Sequence, residues 1–141
     1  MTIQNLIDAV AEALFQEFGS DYEFYTENVE QGLKEPCFLI RCLNPTKNKY
    51  LGLVYKRTNQ FSIQYFPSTM NKIEECHSVL ERLLECMEDV TVFGKPIHGQ
   101  ELNGEIKDDI LNFTVNYDGF VMKYEDETTM DDVEVLTEVK G

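Results

Sequence analysis

The stretch Ile110-Leu111-Asn112-Phe113-Thr114-Val115-Asn116-Tyr117 decides the fold class. Leu111, Phe113, Val115 and Tyr117 alternate with Asn112, Thr114 and Asn116, and the pattern runs on to Asp118. Successive side chains of a strand point to opposite faces, so a period of two predicts a strand with one face in a core and the other in water. Upstream, Asp108-Asp109 is a turn dipeptide, so residues 102–107 and 110–117 are expected to form a hairpin. Downstream, Gly119 either bulges the second strand or ends it before 120–124.

Working outward, Cys37-Phe38-Leu39-Ile40-Arg41-Cys42-Leu43 is apolar on both parities, which predicts a central strand covered on both faces and broken at Asn44-Pro45. Segments 50–56 and 59–66 read as neighbouring strands or one long bent strand, closed by Pro67-Ser68. Tyr22, Phe24 and Tyr25 mark a short strand within 21–26, followed by a polar loop through 27–35. Two helices complete the pattern. In residues 2–18, Ile3, Leu6, Ile7, Val10, Leu14 and Phe15 recur at helical steps, with Thr2 placed to cap and Gly19 to terminate. In residues 71–89, Ile73, Cys76, Leu80, Leu83, Leu84 and Met87 share one side, and Asn71 with Glu74 resembles a capping box. Strands that cluster rather than alternate with helices predict an α+β fold, a mostly antiparallel β-sheet with two amphipathic helices packed on one face.

The chain of 141 residues carries 12 basic and 26 acidic side chains, a net charge of −14. That length suits one domain, and 43% apolar residues can fill a core. No apolar run approaches the roughly 18 residues of a membrane span, and Asp8 and Glu12 interrupt the N-terminal apolar stretch. Neither a bilayer helix nor a secretory signal is expected, and the chain reads as soluble and intracellular.

The charge is segregated. Between Glu35 and Glu74 there is no acid, while Arg41, Lys47, Lys49, Lys56, Arg57 and Lys72 lie inside that interval. Residues 125–141 hold seven acids against Lys140. A domain of this size is wider than the ~8 Å Debye length at physiological salt, so a partner feels the local patch rather than the mean. One reading is that these cations are ordinary solvated charges. The other is that a basic face on one copy meets an acidic face on the next, a heterologous contact that closes into a ring when the rotation permits. Six cations beside so large a negative remainder make a poor autonomous nucleic-acid binder, and none is expected. Arg41, Lys47, Lys49, Lys56 and Arg57 are therefore the candidate oligomer or channel surface. In the acidic C-terminal segment 125–141, Val133, Val135, Thr137 and Val139 share one parity. They form a candidate partner strand, read as an edge of its own sheet, an added strand on a neighbour, or a disordered tail.

Catalysis is not indicated. Cys37, Cys42, Cys76 and Cys86 form no C-x-x-C pair and read as buried free thiols. His77 lies in the second helix without a metal-ligand partner, and His98 follows Pro96 in an expected loop. The eight glycines are scattered rather than gathered into a phosphate loop. No catalytic residue, cofactor or metal is expected.

The run Gln31-Gly32-Leu33-Lys34-Glu35-Pro36-Cys37-Phe38, then Tyr55-Lys56-Arg57, Tyr65-Phe66-Pro67 and Glu74-Glu75-Cys76, resembles the small phage tail terminator proteins encoded in prophages of Gram-positive bacteria. The resemblance runs from the first helix to about Tyr124, giving a single tail-terminator-like domain over 1–124. It implies a structural virion protein, not an enzyme, that caps the tail tube as a hexameric ring, ends tail polymerisation and prepares head–tail joining. The implied partners are further copies of itself, the tail tube protein, and head-completion or sheath proteins, with no membrane. The implied setting is the bacterial host cytoplasm during assembly, then the virion tail or a tail-like bacteriocin. Gly32 and Pro36 would shape the loop entering the central strand. The alternatives are a monomeric adaptor that binds a partner by C-terminal strand addition, and a small cysteine-dependent enzyme.

Overall fold

A computed structural model describes residues 2–26 and 34–123, and the backbone of 134–136. Helix α1 (Ile3–Phe18) begins at a capping box in which Thr2 and Asn5 exchange side-chain and backbone hydrogen bonds, and it ends at Gly19. Strand β1 (Glu23–Tyr25) follows, then β2 (Cys37–Leu51), β3 (Val54–Phe66), α2 (Lys72–Cys86), β4 (Asp89–Val92), β5 (Lys95–Lys107), β6 (Ile110–Tyr117), β7 (Gly119–Met122) and β8 (Glu134–Leu136).

The strand order is β1-β2-β3-β6-β5-β4, with β7 on β3 and β8 on β7. Every pairing is antiparallel except β1 with β2. This is the expected α+β architecture. The alternating residues Leu111, Phe113, Val115 and Tyr117 are all fully buried. They join Phe38, Ile40, Phe61 and Ile63 beneath Leu6, Val10 and Leu14 of α1 and Cys76, Val79 and Leu83 of α2. Each such large apolar side chain contributes about 1.5–3 kcal/mol by leaving water. The opposite sheet face is polar, with Arg41, Gln60, Ser62, Gln64, Asn112 and Thr114 in register across three strands.

Several expectations need correction. Asn44-Pro45 does not break β2, which continues through a register shift between Leu43 and Thr46. Asn44 takes a positive φ of 42°, which asparagine tolerates, and a bulge is where a strand accommodates a proline that cannot donate. Segment 50–56 is not one strand, because a tight turn at Gly52-Leu53 lies inside it and Leu51 pairs with Val54. Asn71 makes no side-chain capping bond. Glu75 instead gathers the preceding loop, accepting from the Ser68 and Thr69 backbone N–H groups, the Thr69 hydroxyl and the Tyr65 hydroxyl. Ile73 is exposed rather than core-facing. His98 lies in β5, not a loop, opposite Asp89 of β4 and bonded to its carboxylate.

Candidate assembly surface

Strands β2 and β3 are longer than the sheet body, and their far halves form an arm. Along β3 the register with β6 and then β7 runs without a shift, from Tyr65 opposite Leu111 to Val54 opposite Met122. The arm is thus β2, β3 and β7, with the three-residue β8 on its edge, where Val121 pairs with Val135. Its junction with the body is locked. Asn59, almost fully buried, donates from Nδ2 to the Tyr117 carbonyl (3.1 Å), and the Tyr117 hydroxyl donates to the Met87 carbonyl (2.6 Å) at the end of α2.

The candidate cations do not share one face. Lys47 sits opposite Arg57 and Lys49 opposite Tyr55, on the face continuous with the helix side of the sheet. The Lys47 ammonium lies 5.2 Å from the Tyr55 ring centre. Lys56 pairs with Asn48 and Phe120 on the other face. Arg41 is on the sheet body opposite Ser62, on that same outer face, and donates to Gln64 Oε1 (3.3 Å), which in turn donates from Nε2 to Asn112 (2.8 Å). The extra residue in β2 between Leu43 and Thr46 causes this division, since a one-residue slip exchanges the faces of all later side chains. Four of the five cations nonetheless stand on the arm. Lys47 and Arg57 are like charges directly opposed, an arrangement that disfavours the isolated hairpin.

Sequence reasoning missed the arm's tip. Tyr50, Leu51 and Leu53 are 56%, 70% and 41% exposed around the turn, where Gly52 takes a φ of 56°. Tyr50 stacks edge-on against Phe120. The signal was a glycine between large apolar residues, hidden inside an assumed strand. Of the candidate partner strand, Val135 lies in β8, while Val133, Thr137 and Val139 lie outside the described residues, as does Gly32.

Among the described residues, acids lie on the helices, while Asp118 sits close to Lys56 and β8 sets Glu134 opposite Met122 on the arm's edge. Helix α1 has Asp8, Glu12 and Glu17 with no basic residue, and Glu17 pairs with Arg82 of α2 at 2.9 Å. Burial pushes the thiols up, Cys37 to about 11 and Cys86 to about 12, and raises Cys42 and Cys76 as well. At neutral pH they are thiols rather than nucleophilic thiolates. Among the described residues no group of three His, Cys, Asp or Glu side chains could hold a metal ion, and no helix is long and apolar enough to cross a membrane.

No curated protein matches the chain. The family model for phage tail terminator protein matches residues 5–129, from the first turn of α1 to beyond β7, and leaves out β8. A match over so much of a 141-residue chain places the α+β body and its arm together inside one family. The chain belongs to the phage tail terminator protein family.

Proposed function

We propose that this phage tail structural protein caps the tail tube as a hexameric ring, ending tube polymerisation and presenting a surface for head–tail joining. The observation that carries the reading is a cationic arm on a molecule whose family is structural and whose remaining surface is acidic. Complementary patches on one chain favour contact between identical copies and fix their register. Its partners are further copies, the tail tube protein, and head-completion or sheath proteins. Assembly takes place in the bacterial host cytoplasm, and the product is a virion tail or a tail-like bacteriocin.

The test is polymerisation of the cognate tail tube protein with increasing amounts of this chain. Tubes become shorter and carry one ring at an end. Tubes of unchanged length with bare ends would refute the reading.

A second reading draws on β8, whose three residues form a small edge pairing that another strand could replace. In that reading a monomeric adaptor gives its C-terminal strand to a partner. Deleting residues 125–141 then abolishes partner binding and leaves the melting temperature of the body unchanged.

A further inference from the structure

The exposed large apolar side chains of the described residues fall into two groups and two singles. The first group is the arm tip, Tyr50, Leu51 and Leu53. The second is the start of α2, where Met70 and Ile73 are 92% and 47% exposed. Phe15 and Phe93 stand alone. Met70 and Ile73 line a cleft of about 580 Å³ with Glu74, His77 and Asp109. The cleft lies between α2 and the β5–β6 turn, where the Cys76 thiol approaches the Asp109 carbonyl at 3.9 Å.

These two apolar groups lie at opposite ends of the molecule. Strand β3 starts at the tip with Val54 and ends at Phe66, four residues before Met70. At about 3.3 Å per residue its 13 residues separate tip from cleft by about 40 Å. The tip therefore has no access to the cleft of its own chain. The surroundings of the two are opposite in sign. Lys47, Lys49, Lys56 and Arg57 stand behind the tip, while Glu74 and Asp109 outnumber Lys72 at the cleft.

We infer that the arm tip of one copy docks into the α2 cleft of the next, with Leu51 and Leu53 against Met70 and Ile73 and the arm cations beside Glu74 and Asp109. This rests on the ring reading and specifies its subunit contact. Knob and socket at opposite ends of one strand make the contact head-to-tail, so it generates a ring or a filament rather than a two-fold dimer. Single exposed apolar residues are ordinary on a protein surface, but a clustered apolar tip and a clustered apolar cleft in surroundings of opposite charge are not.

The experiment uses full-length Leu51→Asp and Ile73→Asp chains, each checked for native melting. Leu53→Asp and Met70→Asp replace either one that does not fold. By mass photometry each variant alone needs at least tenfold more protein than the native chain to assemble. An equimolar mixture gives dimers and nothing larger, because each mixed pair keeps one intact tip and one intact cleft. Rings formed by either folded variant at the native concentration would overturn the inference while leaving the ring reading in place, as would a mixture that stays monomeric. A Leu51→Asp chain that forms rings yet no longer caps tubes would place the tip against the tube protein and also overturn it. A native chain that stays monomeric beside its tube protein overturns both readings.

Discussion

Replacing Gly99 with alanine should lower stability by about 2 kcal/mol, against the usual sign for such a change. Gly99 sits opposite Tyr117 at the junction of body and arm, and its N–H donates to the Glu88 carbonyl at 2.6 Å. A Cβ there would lie 2.7 Å from the Met87 carbonyl oxygen and 2.9 Å from Val115 Cγ2. Neither neighbour is free to yield. Met87 O belongs to the end of α2 and already accepts the Tyr117 hydroxyl, and Val115 is fully buried. Overpacking of this kind costs about 1–3 kcal/mol, and straining the Gly99 hydrogen bond adds about 1 kcal/mol. The smaller unfolded-state entropy of alanine offsets roughly 0.4–1 kcal/mol. With an unfolding entropy of about 2.1 cal/mol/K per residue, the 141-residue chain loses about 7 °C in Tm. Differential scanning calorimetry reads this directly. Tyr117→Phe should cost about 1–2 kcal/mol by leaving Met87 O without its donor, and the double variant should fall short of the sum because both changes act on one carbonyl. A Gly99→Ala chain that melts at or above the native temperature would refute the reasoning.

Glu75→Gln should destabilise the chain by about 2 kcal/mol at pH 7, since the carboxylate gathers four donors. Burial alone would raise the Glu75 pKa, but hydrogen bonds from Thr69, Tyr65 and Ser68 outweigh it and hold the group below its ordinary value. Its stabilisation is therefore present above the ordinary glutamate pKa and lost as pH falls through the lowered one. The difference in Tm between native and variant should close in acid. Asp118 has the opposite sign: burial raises its pKa, the nearby Lys56 lowers it and Glu101 adds to the rise. A raised carboxyl favours the fold below the ordinary aspartate pKa and disfavours it once ionised, so Asp118→Asn should raise Tm at pH 7 and lose that gain in acid. All four thiols should react slowly with a disulfide reagent at pH 7 and rapidly after denaturation. One fast thiol would revive the cysteine-enzyme alternative. Raising salt from 0.1 to 1 M shortens the Debye length from about 10 to about 3 Å and should weaken self-assembly at least tenfold. Assembly unchanged by salt would leave only apolar contacts.

Local rules made the body legible in the sequence. The period of two in 110–117 set which side chains face the helices, and Thr2 set the start of α1, where the structure adds the reciprocal bond to Asn5. What was not legible depends on partners distant in sequence. Asn44-Pro45 looks like a break in isolation, yet β3 alongside carries β2 through it as a bulge. That same bulge divides Arg41 from Lys47, residues of equal parity, so a charge run visible in the sequence becomes two surfaces in the fold. Strand β4 alternates over only four residues, Asp89 to Val92, too short a run to stand out, and the first half of β5 shows no alternation, so tertiary pairing under α1 defines them. Glu75 rather than Glu74 holds the approach to α2 because the loop folds back over the helix, which a spacing rule for capping boxes does not anticipate.

Electron cryomicroscopy of the chain bound to the end of its tail tube tests the central claim most directly. The expected result is a closed ring in which every Tyr50–Leu53 tip is covered by the Met70–Ile73 cleft of the adjacent subunit. A ring whose tips project into solvent, with Lys47, Lys49 and Arg57 far from any acidic neighbour, would contradict it.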